Sequence, residues 1–198
     1  MKIVVFNSVT LDGVMQSPAR PDEDTRDGFT HGGWAIPFSD QVIGNFAGQS
    51  MQTSGSLLLG RRTYEDFFQV WPKRTDNPYT EVLNNAQKYV ASRTLKEPLP
   101  WQNSTLLKGD AVDAAARLKE KPGKDIVVLG SGELIQSLMR RNLIDEFILL
   151  IHPLILRSGR RLFTDGLPPT NLRLVESKPS STGVVIARYA SPGVSESH

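Results

Sequence analysis

Three short stretches of this 198-residue chain gather cations, hydroxyls and glycines in a way that suits an anionic ligand. Leu59-Gly60-Arg61-Arg62-Thr63 and Leu129-Gly130-Ser131-Gly132-Glu133 each read as a strand end, a polar or glycine turn, and a helix start. Ala91-Ser92-Arg93-Thr94 reads as a third strand end of the same kind. In open α/β sheets, ligands collect beyond the carboxyl ends of the strands. Helix N-termini at that edge offer free N–H groups and the positive end of the helix dipole, which suit phosphate. The planar guanidinium of arginine adds bidentate contact. Arg61, Arg62 and Arg93, with Thr63, Ser92 and the glycine turn, therefore point to a ligand carrying more than one phosphate. A cation at the start of a helix opposes the dipole, so an anion beside Arg61 would relieve it. The alternative reading makes Gly60 and Gly130 plain turn glycines and the arginine pair a solvated helix start.

Other chemistries fare less well. Gly130-Ser131-Gly132 meets only part of a dinucleotide fingerprint, because Ile135 stands where the third glycine belongs and the motif comes late in the chain. No GxxxxGK[ST] pattern is present. The three histidines include His31 in a long loop, His198 at the end and His152 closing an apolar run, and no GxSxG elbow accompanies them. No spacing supports a metal site. Asp40, at the start of a helix just after Trp34-Ala35-Ile36-Pro37-Phe38, has two readings. It is an N-cap, or a carboxylate on a cleft wall that binds a nitrogen-rich ring or supplies a proton.

The elements that must position these residues follow from pattern. Residues 3–9 read as a buried strand, and Thr10–Trp34 as a long loop rich in Gly, Pro and Asp. Residues 39–53 read as a helix capped by Ser39 or Asp40, with Val42, Ile43, Phe46 and Met51 on one face. Strands are expected at 57–59, 87–92, 104–107, 125–129 and 146–152, and helices at 62–70, 111–121 and 133–141. Residues 171–177 and 183–190 alternate apolar and polar as a terminal antiparallel hairpin, and 191–198 read as a loose tail. Alternating strands and helices imply one α/β domain over residues 1–190. Its sheet is mostly parallel with helices on both faces, and the hairpin forms an antiparallel edge.

Composition sets the bounds. With 23 Lys+Arg against 21 Asp+Glu the net charge is +2, which leaves no electrostatic footprint for nucleic acid. The absence of cysteine removes disulfides, thiolate metal sites and thiol catalysis, and fits a cytoplasmic protein. The opening MKIVVFNSV lacks a cleavage site and reads as a strand, and no apolar run reaches the ~20 residues of a membrane span.

Taken in order, these motifs resemble the dihydrofolate reductase-like superfamily, and most closely the reductase domain of bacterial riboflavin biosynthesis proteins. The matching pieces are Asn7-Ser8-Val9-Thr10-Leu11-Asp12-Gly13, Leu57 to Glu65, Lys88 to Arg93, Val128 to Leu134, and Asp145-Glu146 through His152-Pro153 to Phe163. The resemblance spans about residues 2–190 and is most specific in LLLGRRTYE and the late GSG. It implies a three-layer fold and an NADPH-dependent reductase resembling 5-amino-6-(5-phosphoribosylamino)uracil reductase. Gly60, Arg61, Arg62, Thr63, Ser92, Arg93 and Gly130, Ser131, Gly132, Glu133 and Leu134 would hold the cofactor. Asp12, in the loop over the nicotinamide, and Asp40 would be catalytic, and Asn7, Trp34 and Asp40 would face a small-molecule substrate. A non-catalytic NADP(H)-binding protein and a folate or pterin reductase are the alternatives. The chain departs from the folate enzymes in its longer, more acidic Gly13–Trp34 loop and in Ser131 where they have a second glycine. It lacks the cysteines of the zinc deaminase domain fused to many riboflavin enzymes. Apolar edge surface from Phe147 to Phe163 and on the hairpin suggests a homodimer.

Overall fold

The computed structural model describes residues 1–77 and 79–193. Eight strands form one sheet in the order β4-β3-β2-β5-β1-β6-β8-β7. They are β1 (Ile3–Thr10), β2 (Ser56–Gly60), β3 (Gln87–Ala91), β4 (Ser104–Leu106), β5 (Ile126–Leu129), β6 (Glu146–His152), β7 (Arg173–Pro179) and β8 (Val185–Ala190). The first six in this numbering run parallel, so their carboxyl ends share one edge. β8 pairs antiparallel with both β6 and β7. The three-layer, mostly parallel architecture with a C-terminal antiparallel hairpin is the expected one.

The helices are α1 (Gln41–Thr53), α2 (Arg61–Val70), α3 (Tyr79–Asn85), α4 (Ala111–Lys119) and α5 (Gly132–Arg140). Strand residues alternate between the two faces, and each face has its own core. Val5, Leu58, Ile126 and Val128 pack with Ala115 and Leu118 of α4 and with Leu134, Ile135 and Leu138 of α5. Val4, Leu57, Leu59 and Val90 pack instead with Tyr64 of α2, Leu83 of α3 and Trp101. Full burial of such side chains contributes about 1.5–3 kcal/mol each, so the central strands anchor the carboxyl edge rigidly.

α3 has no strong apolar period and was not expected from sequence. Tertiary contacts hold it. Trp101 Nε1 donates to Asn84 Oδ1 (2.7 Å), and buried Lys88 donates from Nζ to the carbonyls of Leu83, Asn84 and Ala86 (2.8, 3.1 and 2.7 Å). Lys88 thereby caps the helix C-terminus, where a cation suits the dipole. Its Nζ also lies 4.4 Å from the Trp101 ring centroid. Burial pulls its pKa down to about 8.

The long segment after β1 is ordered. Val14, Phe29 and Trp34 make a small core of their own. Gln16 is the hub: Nε2 donates to the carbonyls of Asp24 and Arg26 (3.2 and 3.1 Å), Oε1 accepts from Arg160 N–H (2.9 Å), and its carbonyl accepts from Trp34 Nε1 (2.7 Å). At the other end of the chain, Ser191 is tied to Asp145 and Ile144 through its N–H and hydroxyl. Residues 194–198 of the expected tail lie outside the described residues.

Candidate anion-binding site

The helices that start at the carboxyl edge differ in how they begin. Asp40 caps α1 by accepting Ile43 N–H (2.8 Å). Asp110 caps α4 by accepting the N–H groups of Val112 and Asp113 (2.9 and 3.1 Å). α2 and α5 have no side-chain cap. An uncapped first turn leaves N–H donors without intrahelical partners. These two are the starts that the motifs Gly60–Thr63 and Gly130–Leu134 supply.

The two starts are bolted together. Gly60 N–H donates to Ser131 Oγ (2.9 Å), and Ser131 N–H donates to Thr63 Oγ1 (3.0 Å). Asn7, buried on β1, closes the arrangement from the third strand: its Oδ1 accepts Gly130 N–H (2.8 Å) and its Nδ2 donates to Gly130 C=O (3.1 Å). The turn needs this support. Gly130 and Ser131 both have φ near +54°, a region that non-glycine residues avoid at a cost of order 1–3 kcal/mol. A side chain at Gly130 would meet Thr63 at about 3.0 Å. At Gly132 it would meet Met15 Sδ at 2.8 Å. The glycines thus permit a close approach of backbone, and Ser131 accepts strain while its hydroxyl holds the β2–α2 turn.

Cations stand around this double start. Arg61 pairs with Glu65 one turn on (2.8 Å), and Arg62 is exposed with no ion pair among the described residues. Arg93 is exposed at the end of β3 and adds to the N–H groups of Asp113 and Val112 in holding the Asp110 carboxyl low. Ser92 Oγ accepts the N–H groups of Thr94 and Leu95 (3.1 and 3.0 Å), which fixes the turn that carries Arg93. Glu133, in the first turn of α5, is flanked by Arg26 (3.3 Å) and Arg160 (3.1 Å).

The remaining expected site residues each make contacts within the fold. Asn7 contacts the Gly130 turn. Asp12 is held low, at about 2: burial raises it, but the Thr10 hydroxyl and the N–H groups of Arg157 and Leu156 outweigh that. The Thr10 bond (2.7 Å) lies within the β1 turn, and the Arg157 and Leu156 bonds (2.8 and 3.1 Å) tie that turn to the segment after β6. Asp40 makes the N-cap bond of the first of its two readings. Its second oxygen accepts both the N–H and the hydroxyl of Ser181 (2.7 Å each) in the β7–β8 turn. The Ile43 N–H, then the Ser181 bonds, hold its pKa below the ordinary value, so this carboxylate is ionised at neutral pH and suits a proton donor poorly. Trp34 is buried and meets His152 edge-on (5.0 Å between centroids), with Phe38 on the same ring (5.6 Å). His152 itself bonds the Leu150 carbonyl through Nδ1 (2.9 Å), and burial lowers its pKa.

Sequence reasoning overlooked Gln16 and the ion pair of Arg20 with Asp66 on α2. Neither lies in a motif, and the partners Arg160 of Gln16 and Asp66 of Arg20 are far along the chain. An apolar groove of about 160 Å³ lies at the opposite end of α5, between Met139, Phe147, Phe163 and Leu172, and includes none of the expected cofactor, catalytic or substrate residues. Among the described residues no His/Asp/Glu cluster could hold a metal, and no helix is long and apolar enough to cross a membrane.

Sheet order, helix layering and the antiparallel β6-β8-β7 edge define a dihydrofolate reductase-like α/β protein. The RibD C-terminal domain model matches residues 1–186, and the chain belongs to that family. It is 34% identical over 194 residues to the uncharacterized protein YyaP of Bacillus subtilis, covering 95% of this chain and 94% of the relative. It is 30% identical over 179 residues to the uncharacterized YwjB of the same organism, covering 89% and 91%. Among solved structures it is similar to a putative riboflavin biosynthesis protein from a Shewanella species, with TM-score 0.66, 23% identity and 96% and 99% coverage. A pyrimidine reductase-like protein from Corynebacterium diphtheriae gives 0.65, 14%, and 96% and 91%.

Proposed function

We propose that this protein is an NADPH-dependent reductase that delivers a hydride to a carbonyl or imine carbon of a small heterocycle or ribose-type substrate. The observation that carries the reading is the pair of uncapped helix starts, α2 and α5, locked side by side through Ser131. Their unbonded N–H groups fit a pyrophosphate. Arg62 and Arg93, with Arg61 and Ser92, fit a further phosphate on the ribose. Bound there, the dinucleotide supplies the hydride. The chain's residues do the positioning. Asn7 and Thr63 hold the Gly130–Ser131 turn in the shape that admits a close backbone approach, while Trp34, Phe38 and His152 close off water at the ends of β1 and β6. A pyrimidine-type acceptor, like that of the riboflavin branch, is the substrate class favoured by the family.

Titration with NADPH, followed by its fluorescence, tests the reading. Saturable binding at micromolar protein is expected, and Arg62→Ala with Arg93→Ala weakens NADPH more than NADH. Absence of saturable binding overturns it. One observation favours binding without turnover: Asp12 and Asp40, the expected acids, spend their carboxylates inside the fold. NADPH binding with no oxidation across pyrimidines, pterins and simple carbonyls would establish that alternative. The site of action proposed is the cytoplasm. A second copy of the chain is the partner proposed for the exposed β7 edge with Leu174, Val175 and Val185, and light scattering that returns a monomer would remove it.

A further inference from the structure

Two helices on one face of the sheet stand apart over its centre. α2 packs Tyr64 on Leu57, Leu59 and Val90 of β2 and β3. α1 packs Val42 and Ile43 on Leu150 of β6 and Ile186 of β8. β5 and β1 run between these strand pairs. At about 4.8 Å per strand the helix midlines are about 19 Å apart, and helices about 10–12 Å across leave a slot of about 8 Å. Its floor is Phe6 and Leu129, register partners on β1 and β5. Ser8 is next along the same face of β1. All three are half-buried. Phe46 of α1, half-buried too, stacks on Phe6 with centroids 6.3 Å apart and 26° between the rings. Phe6 and Leu129 immediately precede Asn7 and Gly130, so the slot adjoins the paired helix starts.

The walls of the slot are neutral. α1, QVIGNFAGQSMQT, has no charged residue, and neither has β1 or β5. On α2, Phe67 lies one turn past Thr63, on the side that accepts Ser131 N–H. The charges of that helix are turned to other partners: Arg61 to Glu65, and Asp66 to Arg20. Arg62 is the cation proposed for the dinucleotide. Asp12 follows β1 and Asp40 opens α1, and both are carboxylates with N–H partners. The cation beside Asp12, Arg161, lies 3.7 Å from it. Within the slot the polar group of the floor is the Ser8 hydroxyl, which makes no hydrogen bond among the described residues. A hydroxyl can donate once and accept twice.

We infer that the hydride acceptor is an uncharged flat ring, without phosphate or carboxylate, seated between α1 and α2 on Phe6, Leu129 and Phe46, with the Ser8 hydroxyl bonding a ring nitrogen or carbonyl. This rests on the reading of the adjoining site as a dinucleotide site. A flat ring in the slot covers three apolar side chains at once and stacks against an aromatic one. An anionic group there would shed its water and meet no cation in exchange. The two ligands are thus sorted by charge. Phosphates go to the arginines around the helix starts, and a neutral ring goes to the slot. A ring carrying a ribose phosphate fits this division poorly.

Fluorescence titration of the NADP⁺-loaded full chain at pH 7 tests the inference with two matched pairs. They are pterin against pterin-6-carboxylate, and riboflavin against riboflavin 5′-phosphate. Each uncharged ring is expected to bind at least about tenfold tighter than its anionic partner. Phe46→Ala weakens pterin by about three- to tenfold through lost stacking. Ser8→Ala, which leaves the packed core intact, weakens it by about two- to tenfold through the lost hydrogen bond. Anionic partners that bind as tightly as the neutral rings overturn the inference. So does pterin binding that neither variant alters, and so does the absence of saturable binding by either neutral ring in a protein that binds NADPH. Should NADPH itself fail to bind, the same titrations on the unloaded chain separate the two claims. Pterin binding that Ser8→Ala weakens then removes the cofactor reading and keeps the neutral slot, whereas no pterin binding removes the slot as well.

Discussion

Asn7 offers the sharpest test of how the site is held. Asn7→Ala removes the two bonds that bracket Gly130, at 2.8 and 3.1 Å, from a side chain that is only 6% exposed as a residue. A buried polar group left unmatched costs about 1–3 kcal/mol. Gly130 is half-buried and regains some water, so the low end applies to each group. The expected loss is about 2–3 kcal/mol in all. At roughly 2–4 °C per kcal/mol for a chain of this size, the melting temperature falls by about 5–10 °C. The Gly130–Ser131 turn also loses its anchor, so NADPH binding weakens by about tenfold, near 1.4 kcal/mol. Asn7→Asp adds a pH arm. Its oxygen still accepts Gly130 N–H, but an ionised carboxylate faces the Gly130 carbonyl. The folded-state pKa of that aspartate is therefore raised above its unfolded value. Stability is fully retained below about pH 4 and is lost as pH rises through the raised folded pKa. Urea unfolding at pH 7 and pH 5 reads both variants. A loss under about 0.5 kcal/mol in Asn7→Ala, a surface-like value, refutes the clamp. So does an Asn7→Asp protein equally stable at the two pH values.

Two further outcomes follow from the same bookkeeping. Lys88→Met strands three carbonyls at the end of α3 and destabilises the protein by about 2–4 kcal/mol at pH 7, measured by chemical unfolding. Lysine deprotonates near 8 when folded and near 10.4 when unfolded. The wild type therefore gains stability relative to Lys88→Met as pH rises through that interval, because the unfolded chain binds the extra proton; parallel pH profiles would contradict this. Asp40→Asn keeps a good cap for α1 but loses an acceptor for Ser181 N–H. Its melting temperature falls modestly while turnover of an identified acceptor persists. The wild type draws stability from Asp40 above about pH 4 and loses it as pH falls toward the lowered folded pKa, a loss the variant does not share. Turnover abolished at unchanged melting temperature would return the catalytic role to Asp40.

Much of the architecture was legible along the chain because it rests on short-range signals. Apolar runs became β1, β5 and β6, Asp40 became a cap, and the alternation at the C-terminus became the β7–β8 hairpin. Helix α3 escaped notice because its stability comes from Trp101 and Lys88, outside its own sequence. The site residues were picked out by type, and their contacts within the fold were not legible. Asn7, Asp12, Trp34 and Asp40 were expected as substrate-facing or catalytic groups, and the structure adds that each is also engaged with distant backbone or with buried rings.

The sequence by itself determined that two glycine-bearing turns would precede helices at one edge of a parallel sheet, with arginines beside them. Only the tertiary structure decided that these turns lock together. The bonds that do so join residues 71, 68 and 123 positions apart. The same holds for the acidic loop, whose composition showed a loop and nothing of its anchorage to α2 and α5 across 46 and 107 positions. A propensity or a cap is written in neighbouring residues. A clasp exists only where the packed sheet brings β1, β2 and β5 side by side, and that adjacency belongs to the whole fold.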